Sequence, residues 1–405
     1  MSMTFAELLA PLTPEQFFAE YHDRKPLHVR GAAAKFASVL SWRQLNRLLD
    51  MTHIWSGQSL KLVMDGTPVP AEQYCTRATS RDNDPVQQPV AAKVQDWVQR
   101  GASVVLNDVD SLTPGLVAVS QALEGAGLGK AQGNVYISWQ SHKAFPAHYD
   151  THDVWAVQVE GEKTWNVWEG RAEWPIPHPA FRTESQAQHE QQKGKLREKV
   201  LLKPGDLLYL PRGWYHDALA EAPASVHIAF GMHAPLGMDF LNILHERALY
   251  DAEFRKPLPR QDGSAAAKFA LTTRAGQLGQ RLAELCREPK VMAALERFVA
   301  DYHFARGGND LLAARGLAPA QGTGAEEAPA WKVLAPGAKP VRRGAEWVLK
   351  TAQGTLALAP PEAEAAGWIL ARPDVAEPEL RAAHPAVDAA ALLSRLREAG
   401  LLAAA

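Results

Sequence analysis

The sequence predicts an α+β protein built around a β-sandwich or barrel, with mixed elements before it and helices after it. Three observations carry this reading. From Gly133 to about His233, short runs of β-branched and aromatic residues ("NVYISW", "VWAVQVEGEKTWNVW", "KVLLKPGDLLYLPRGWYHDALA", "SVHIAFG") alternate with turn residues. Short strands at such close spacing close into a sandwich or barrel. After Pro235, the apolar residues of "GMDFLNILHERALYD" and "AGQLGQRLAELCREPKVMAALERFVADYHFARG" recur at i, i+3 and i+4, the spacing of one helix face. Between these helices and the C-terminal part, "GLAPAQGTGAEEAPA" (316–330) is poor in bulky apolar residues and reads as a linker.

The elements follow in order. "MSMTFAELLAPLTPEQFFAEY" reads as amphipathic helix and lacks the basic start and apolar run of a signal peptide. Within it, "TPEQFFAEYHDR" reads as a helix capped by Thr13, and Ser41 caps a second helix in "SWRQLNRLLDM". "PLHVRG", "SLKLVMDG" and "ASVVLNDVD" read as strands, and "GLVAVSQALEGAGLG" as a helix stopped by glycines. In the central region "VWAVQV-EGE-KTWNVW" is a hairpin and "KPGD" a turn between strands. "RAEWPIPHPAFRTESQAQHEQQKGKLREK" is a polar insertion that reads as a surface loop. Beyond the linker, "EWVLKTAQGTLALA" reads as a hairpin flanked by helical stretches, a small mixed α/β module.

Composition narrows the function classes. The 405 residues are 46% hydrophobic and 22% charged, room for two or three domains. With 43 Lys+Arg against 45 Asp+Glu the net charge is -2, which gives no global case for nucleic acid or a membrane surface. No window approaches the roughly 20 apolar residues of a membrane span. Cys75 and Cys286 lie far apart and offer neither a disulfide framework nor a cysteine zinc site, so a reducing, cytoplasmic setting is expected. There is no Gly-rich phosphate loop of the Walker type.

One constellation carries chemistry. In "PAHYDTHDVW", His148 and Asp150 flank Tyr149, and residues i and i+2 of a strand face one side. The best third ligand is His216 in "LPRGWYHDAL", which follows the apolar run Leu207–Leu210 and a turn. Two imidazoles and one carboxylate leave three positions open on a metal, the facial triad of non-haem Fe(II) oxygenases. A His-x-Asp triplet also occurs in ordinary polar loops, and His142, His152, His178, His189, His227 and His233 compete in the same region. Of these, His142 and His152 belong at the site mouth or in solvent, and His227, alternating with apolar residues, in the core or pocket.

Four ordered blocks, "PEQFFAEYHDRKPLHVRG", "GNVYISW…PAHYDTHDVWAVQVEGEKTWNVW", "KPGDLLYLPRGWYHDA" and "SVHIAFG", resemble the JmjC/cupin family of Fe(II)- and 2-oxoglutarate-dependent oxygenases, closest to its ribosomal oxygenase (Cupin_4) branch. The resemblance implies a double-stranded β-helix (jelly-roll/cupin, JmjC-type) barrel, a helical dimerisation region and a C-terminal winged-helix-like module. The corresponding bounds are 1–235 for the catalytic domain, 236–315 for the helices, 316–330 for the linker and 331–405 for the last module. It implies His148, Asp150 and His216 as iron ligands, with 2-oxoglutarate and O2 as cosubstrates. The family's basic residue fifteen positions after the first histidine falls on Lys163, and a cation there would hold the far carboxylate of 2-oxoglutarate. A solvated lysine in a "GEK" turn is the competing reading. Asn134 and Tyr136 are implied as weaker cosubstrate partners. The implied substrate is a ribosomal protein, hydroxylated on arginine or histidine, and the implied assembly a homodimer. A JmjC-type demethylase, a small-molecule oxygenase, a zinc-dependent isomerase-type cupin and a non-catalytic cupin are the alternatives. Trp139, Trp155, Trp165, Trp168, Trp174 and Trp214 either line a peptide groove or fill the barrel. The insertion between Trp174 and Lys199 departs from the family pattern. From Trp331 to Ala405 there are 9 Lys+Arg and 8 Asp+Glu, far from a DNA-binding footprint.

Overall fold

The structure, a computed structural model, describes residues 3–79, 85–139, 145–181, 184–306, 330–344, 346–351 and 354–404. His142 and all but the last residue of the linker read at 316–330 lie outside the described residues.

Capping sets the first helices. Thr13 Oγ1 accepts from the Gln16 amide at 3.2 Å while Gln16 Oε1 accepts from the Thr13 amide at 3.0 Å. Ser41 and Gln44 repeat this reciprocal pair at the start of the helix Trp42–Asp50. The N-terminal stretch is two helices, Phe5–Leu9 and Pro14–Glu20, where one amphipathic helix was expected. Thr4 and Thr13 each begin a helix, and Pro11 between them has no amide to continue the first.

Among the described residues, thirteen strands precede the helical region: β1 (Leu27–Val29), β2 (Leu60–Met64), β3 (Thr67–Pro68), β4 (Cys75–Thr79), β5 (Pro85–Pro89), β6 (Ser103–Leu106), β7 (Lys130–Ser138), β8 (Asp153–Glu160), β9 (Lys163–Arg171), β10 (Leu196–Leu202), β11 (Leu207–Leu210), β12 (Trp214–Ala220) and β13 (Ser225–His233). They form a large sheet in the order β1-β11-β8-β13-β7-β6-β2-β3, a second sheet β10-β9-β12, and the pair β4-β5. The apolar face of the second sheet (Trp165, Val167, Val200, Leu202, Trp214) packs on Val154, Ala156, Leu208 and Leu210 of the large sheet. The other face of the large sheet is closed by aromatic rings. Phe17 lies 5.1 Å from Trp155 and 5.0 Å from Tyr209 between ring centroids, the separation of favourable aromatic pairs. The "KPGD" turn is tied to β1 by Asp206, which accepts from the Gly31 amide at 2.9 Å and from His28 Nε2 at 3.1 Å.

The insertion is not a plain surface loop. It contains the helix Gln186–Gln192, started by Ser185, and its end is the first half of β10.

The chain divides into two compact units. One comprises Gly127–Lys130 and His233–Phe304, with helices Gly237–Ala248, Ala252–Arg255, Ala265–Leu285 and Pro289–Ala300. Leu244, Leu285 and Val291 form its core. Tyr250 and Phe269 are 79% and 74% exposed. The other unit holds the barrel and residues 305–405. Its C-terminal part pairs Ala330–Val333 with Asp374–Ala376 and Leu402–Ala404, and stacks Val341–Arg343, Glu346–Thr351 and Gly354–Leu358 in a second sheet. Ile369, Leu370, Leu392 and Leu396 are buried in its core. Lys332 joins this part to the barrel through Glu160 at 3.3 Å, and Arg43 does so through Asp374 at 3.2 Å and Glu379 at 2.8 Å.

Arg306 is the buried anchor where the chain re-enters this unit. Its guanidinium pairs with Asp110 at 2.8 Å and with Glu124, and donates to the Ala131 carbonyl. Breaking a buried ion pair by removing one partner costs about 3–5 kcal/mol, because the other charge is left uncompensated. Arg306→Met keeps much of the aliphatic stem and deletes the charge. Urea denaturation is expected to show a loss of that size, and a wild-type midpoint would show that the anchor contributes nothing.

Candidate metal centre

Two glycine turns deliver the site strands. Gly161, at φ +59°, closes the hairpin between β8 and β9, and a Cβ there would sit 1.9 Å from the Ala224 carbonyl oxygen. Gly213, at φ +82°, turns the chain into β12 and donates its amide to the Asp150 carbonyl at 2.9 Å. Both conformations favour glycine. Asp153 holds the same turn by accepting from the Arg212 amide at 2.8 Å and from the Tyr209 hydroxyl at 3.0 Å. Burial pushes the Asp153 carboxyl above its usual range.

The segment carrying His148 and Asp150 meets β12 at a single antiparallel bridge. His148 donates to the His216 carbonyl at 3.1 Å, and His216 returns a bond to the His148 carbonyl at 2.8 Å. Residues opposite each other across such a pair present their side chains on one face. The two imidazole centroids are 4.6 Å apart, and His216 Nε2 lies 3.5 Å from Asp150 Oδ2. One donor atom from each of the three residues falls within 4.8 Å of the others. Both histidines have a fixed tautomer. Nδ1 of His148 faces the Pro146 carbonyl at 2.8 Å, and Nδ1 of His216 faces the Trp214 carbonyl at 2.9 Å. A carbonyl only accepts, so each Nδ1 carries the proton and each Nε2 lone pair is left for a metal. Burial, with His148 adding to it, pushes His216 down to about 4, so it is neutral at pH 7.

The three residues open into a chamber of about 340 Å³ between the two sheets. Asn134, Tyr136 and Lys163 line the same chamber, so all six residues singled out in the sequence converge there. Lys163 is not a solvated turn lysine: it is 2% exposed. Its Nζ donates to Ser138 Oγ at 3.1 Å and lies 3.5 Å from His227 Nδ1. Among the described residues no carboxylate pairs with it. Burial alone pushes it down to about 7. His227 stacks on Tyr136 at 4.8 Å and 7°, and burial, then the neighbouring Lys163, hold it well below its ordinary value. Burial also raises Tyr136, and Asn134 Oδ1 accepts from the Asp108 amide at 3.1 Å.

Sequence reasoning missed Ser138. The signal was available, since Asn134, Tyr136 and Ser138 recur every second residue on β7. His152 does line the chamber, as does His227. Gly231 leaves room for the His152 ring, which a Cβ would meet at 2.7 Å. Of the six tryptophans only Trp165 lines the chamber, and its Nε1 is buried without a partner. Trp155 packs on the opposite face of its sheet, Trp214 is buried in the core, and Trp174 is half exposed.

A barrel of two facing sheets with this cluster between them defines a JmjC/cupin-type fold, and the family model described as "JmjC domain" matches residues 119–240. The chain is similar to proteins called ribosomal oxygenases, the resemblance that the four sequence blocks carried. It is 30% identical over 264 residues to "Ribosomal oxygenase 1" of Gallus gallus, covering 63% of this chain and 42% of that protein. It is 26% identical over 232 residues to "Bifunctional lysine-specific demethylase and histidyl-hydroxylase NO66" of Drosophila persimilis, covering 57% and 31%. The chain thus spans less than half the length of these two curated relatives. The solved structure of YcfD, a ribosomal oxygenase from Escherichia coli in complex with cobalt and 2-oxoglutarate, is 15% identical at a TM-score of 0.49, covering 97% of this chain and 98% of that one.

The depressed Lys163 links stability to pH. Between about 7 and its ordinary 10.5, the unfolded chain holds a proton that the folded chain sheds, so this residue makes stability rise with pH across that window. Below pH 7 both states are charged and the full burial cost is present. Lys163→Met removes that cost. Its stability advantage over the ligand-free wild type is expected to be largest near pH 6.5 and to shrink steadily toward pH 10. Urea midpoints of both chains across this range check it, and an advantage that did not vary with pH would contradict it.

Proposed function

We propose that this chain is an Fe(II)- and 2-oxoglutarate-dependent protein hydroxylase acting on a ribosomal protein side chain, arginine or histidine. The observation that carries the reading is one chamber with two kinds of incomplete chemistry. At one level are two Nε2 lone pairs and a carboxylate facing each other; at another is a buried ammonium with no anion. His148, Asp150 and His216 would hold the iron, a donor set suited to Fe(II) with positions left open. Along β9, Val167 pairs with His216 and Lys163 with Ala220, so Lys163 starts roughly 13 Å along the strand from the metal level. The lysine side chain and a five-carbon dicarboxylate together bridge that span.

The residues fit the cosubstrate as well as the metal. A buried unpaired ammonium is costly, and a carboxylate arriving beside Lys163 and Ser138 offsets that cost with charge-assisted hydrogen bonds. Trp165 Nε1 and the hydroxyl of Tyr136 add donors in the wall. With O2, iron and 2-oxoglutarate supply the oxidising power for C–H hydroxylation. The chain's own part is to orient both groups and to keep His216 and Lys163 out of bulk water. The substrate class is supported by similarity to proteins called ribosomal oxygenase and histidyl-hydroxylase. Demethylation is the second reading, because the same Drosophila relative is also called a lysine-specific demethylase. Mass spectrometry of ribosomal proteins from cells with and without the chain tests the substrate: a gain of one oxygen supports hydroxylation, whereas release of formaldehyde from a methylated peptide would favour demethylation.

The domain reading goes with this function: 1–235 catalytic, 236–315 dimerising, 316–330 linking and 331–405 winged-helix-like. Homodimerisation is supported by the apolar side chains that the helical unit leaves in solvent, Tyr250, Leu258 and Phe269 among them. The last module, with a net charge of +1 from 9 Lys+Arg and 8 Asp+Glu, suits a protein contact or a structural role better than DNA. A cytoplasmic setting is supported by Cys75 and Cys286, which remain unpaired. No helix of the described residues is long and apolar enough to cross a membrane.

Four variants separate the roles. His148→Ala or Asp150→Ala is expected to abolish 2-oxoglutarate turnover in a folded chain, while His227→Ala keeps its metal. Lys163→Ala removes a charged hydrogen bond worth about 1.5–3 kcal/mol, and more where a buried partner is left alone. The 2-oxoglutarate KM should therefore rise roughly 10- to 100-fold with iron per chain unchanged. An unchanged KM would remove Lys163 from the cosubstrate site.

A further inference from the structure

The insertion that departs from the family pattern packs against the ligand segments from behind. Tyr149 lies between His148 and Asp150, and Tyr215 precedes His216. Neighbouring residues of an extended chain face opposite sides, so these two tyrosines point away from the chamber. Both meet the helix Gln186–Gln192. The rings of Tyr149, His189 and Tyr215 form an edge-to-face trio with centroids 5.2–5.7 Å apart. Tyr149 donates to Glu184 at 2.9 Å, and Tyr215 donates to Gln192 Oε1 at 2.9 Å. The hydroxyl proton of Tyr215 being used, His189 Nδ1–H donates to its oxygen at 3.1 Å. Gln186 Nε2 donates to the Ala147 carbonyl at 3.1 Å. Every one of these bonds lands on, or next to, a ligand-bearing segment.

The need for such support is visible in the backbone. The segment 147–150 belongs to no strand. It is tied to β12 and the turn before it by the His148–His216 bridge and by the Gly213 bond to Asp150. Those bonds set which residues are opposite each other, and the contacts on Tyr149 and Tyr215 hold the same segments from the far side.

We propose that the helix Gln186–Gln192 is a brace, with His189 as its positioning residue, that sets the spacing of Asp150 and the two histidines and so preorganises the metal centre. This rests on the metal-centre reading above. Outer partners that orient ligands typically contribute 10- to 100-fold in metal affinity.

The test uses the full chain and Co(II) alone, followed by calorimetric titration and by the visible d–d absorption of the bound ion. His189→Ala is expected to weaken Co(II) binding about ten-fold and to shift the d–d band, with the far-ultraviolet circular dichroism unchanged. His189→Asn, whose Nδ2 can donate from nearly the same place as Nδ1, should restore most of the affinity and the band. His148→Ala is the control. If it abolishes binding while His189→Ala keeps the wild-type affinity and spectrum, the brace is wrong and the metal centre stands. If His148→Ala binds Co(II) like the wild type, the metal-centre reading fails and the brace with it. Should His189→Ala not fold, Tyr149→Phe takes its place: a weaker complex supports the brace, and wild-type affinity overturns it.

Discussion

Two backbone hydrogen bonds between His148 and His216 are the constraint on which the site depends. They join a segment outside any strand to β12 and put two imidazoles and a carboxylate on one face. What surrounds them serves that register. The Gly213 turn aims β12, Asp153 holds the turn through the Arg212 amide, and the carbonyls of Pro146 and Trp214 choose the tautomers. None of these bonds is strong alone, since a typical one contributes about 0.5–1.5 kcal/mol. Their effect is geometric: each removes one way for a ligand atom to point elsewhere.

The chamber's second property is electrostatic. A lysine at 2% exposure with, among the described residues, only a hydroxyl and a neutral imidazole near its Nζ is a destabilising element in the chain by itself. A fold meant only for stability would replace it with an apolar residue of similar volume. Among Trp165, Tyr136 and His227, an arriving anion would offset that burial cost, as the proposed cosubstrate site requires.

The parts legible in the sequence were those governed by short-range rules. The caps at Thr13 and Ser41 follow from side-chain chemistry and the helices after Pro235 from their apolar spacing, whereas His148 and Asp150, read as sharing a strand face, lie in a segment outside any strand that a single bridge holds. Lys163 was legible as a position but not as a buried one, because a "GEK" turn looks the same whether or not a second sheet covers it. The helix Gln186–Gln192 was read as loop for a similar reason. Its residues, "QAQHEQQ", have no apolar face, and what holds it is a set of bonds to Tyr149 and Tyr215, distant in sequence. The N-terminal helix was read as continuous because its apolar period runs across Pro11, where the backbone cannot follow. Ser138 was overlooked because serine is unremarkable on a strand until a charged atom is placed beside it.

The barrel unit is discontinuous in sequence. Residues 233–304 leave it, and the chain returns at Arg306, Lys332 and Asp374 to meet Asp110, Glu160 and Arg43. During synthesis at about 5–20 residues per second, domains generally fold from the N-terminus as they emerge. Here the residues of the candidate metal centre are all made by His233, yet Asp110 and Glu124 wait without the Arg306 guanidinium until it is made, and Glu160 waits until Lys332 follows. The residues of the candidate metal centre are therefore made well before the barrel unit is complete. A chain cut after the barrel strands would carry His148, Asp150 and His216 but lack the guanidinium and the ammonium that meet Asp110, Glu124 and Glu160.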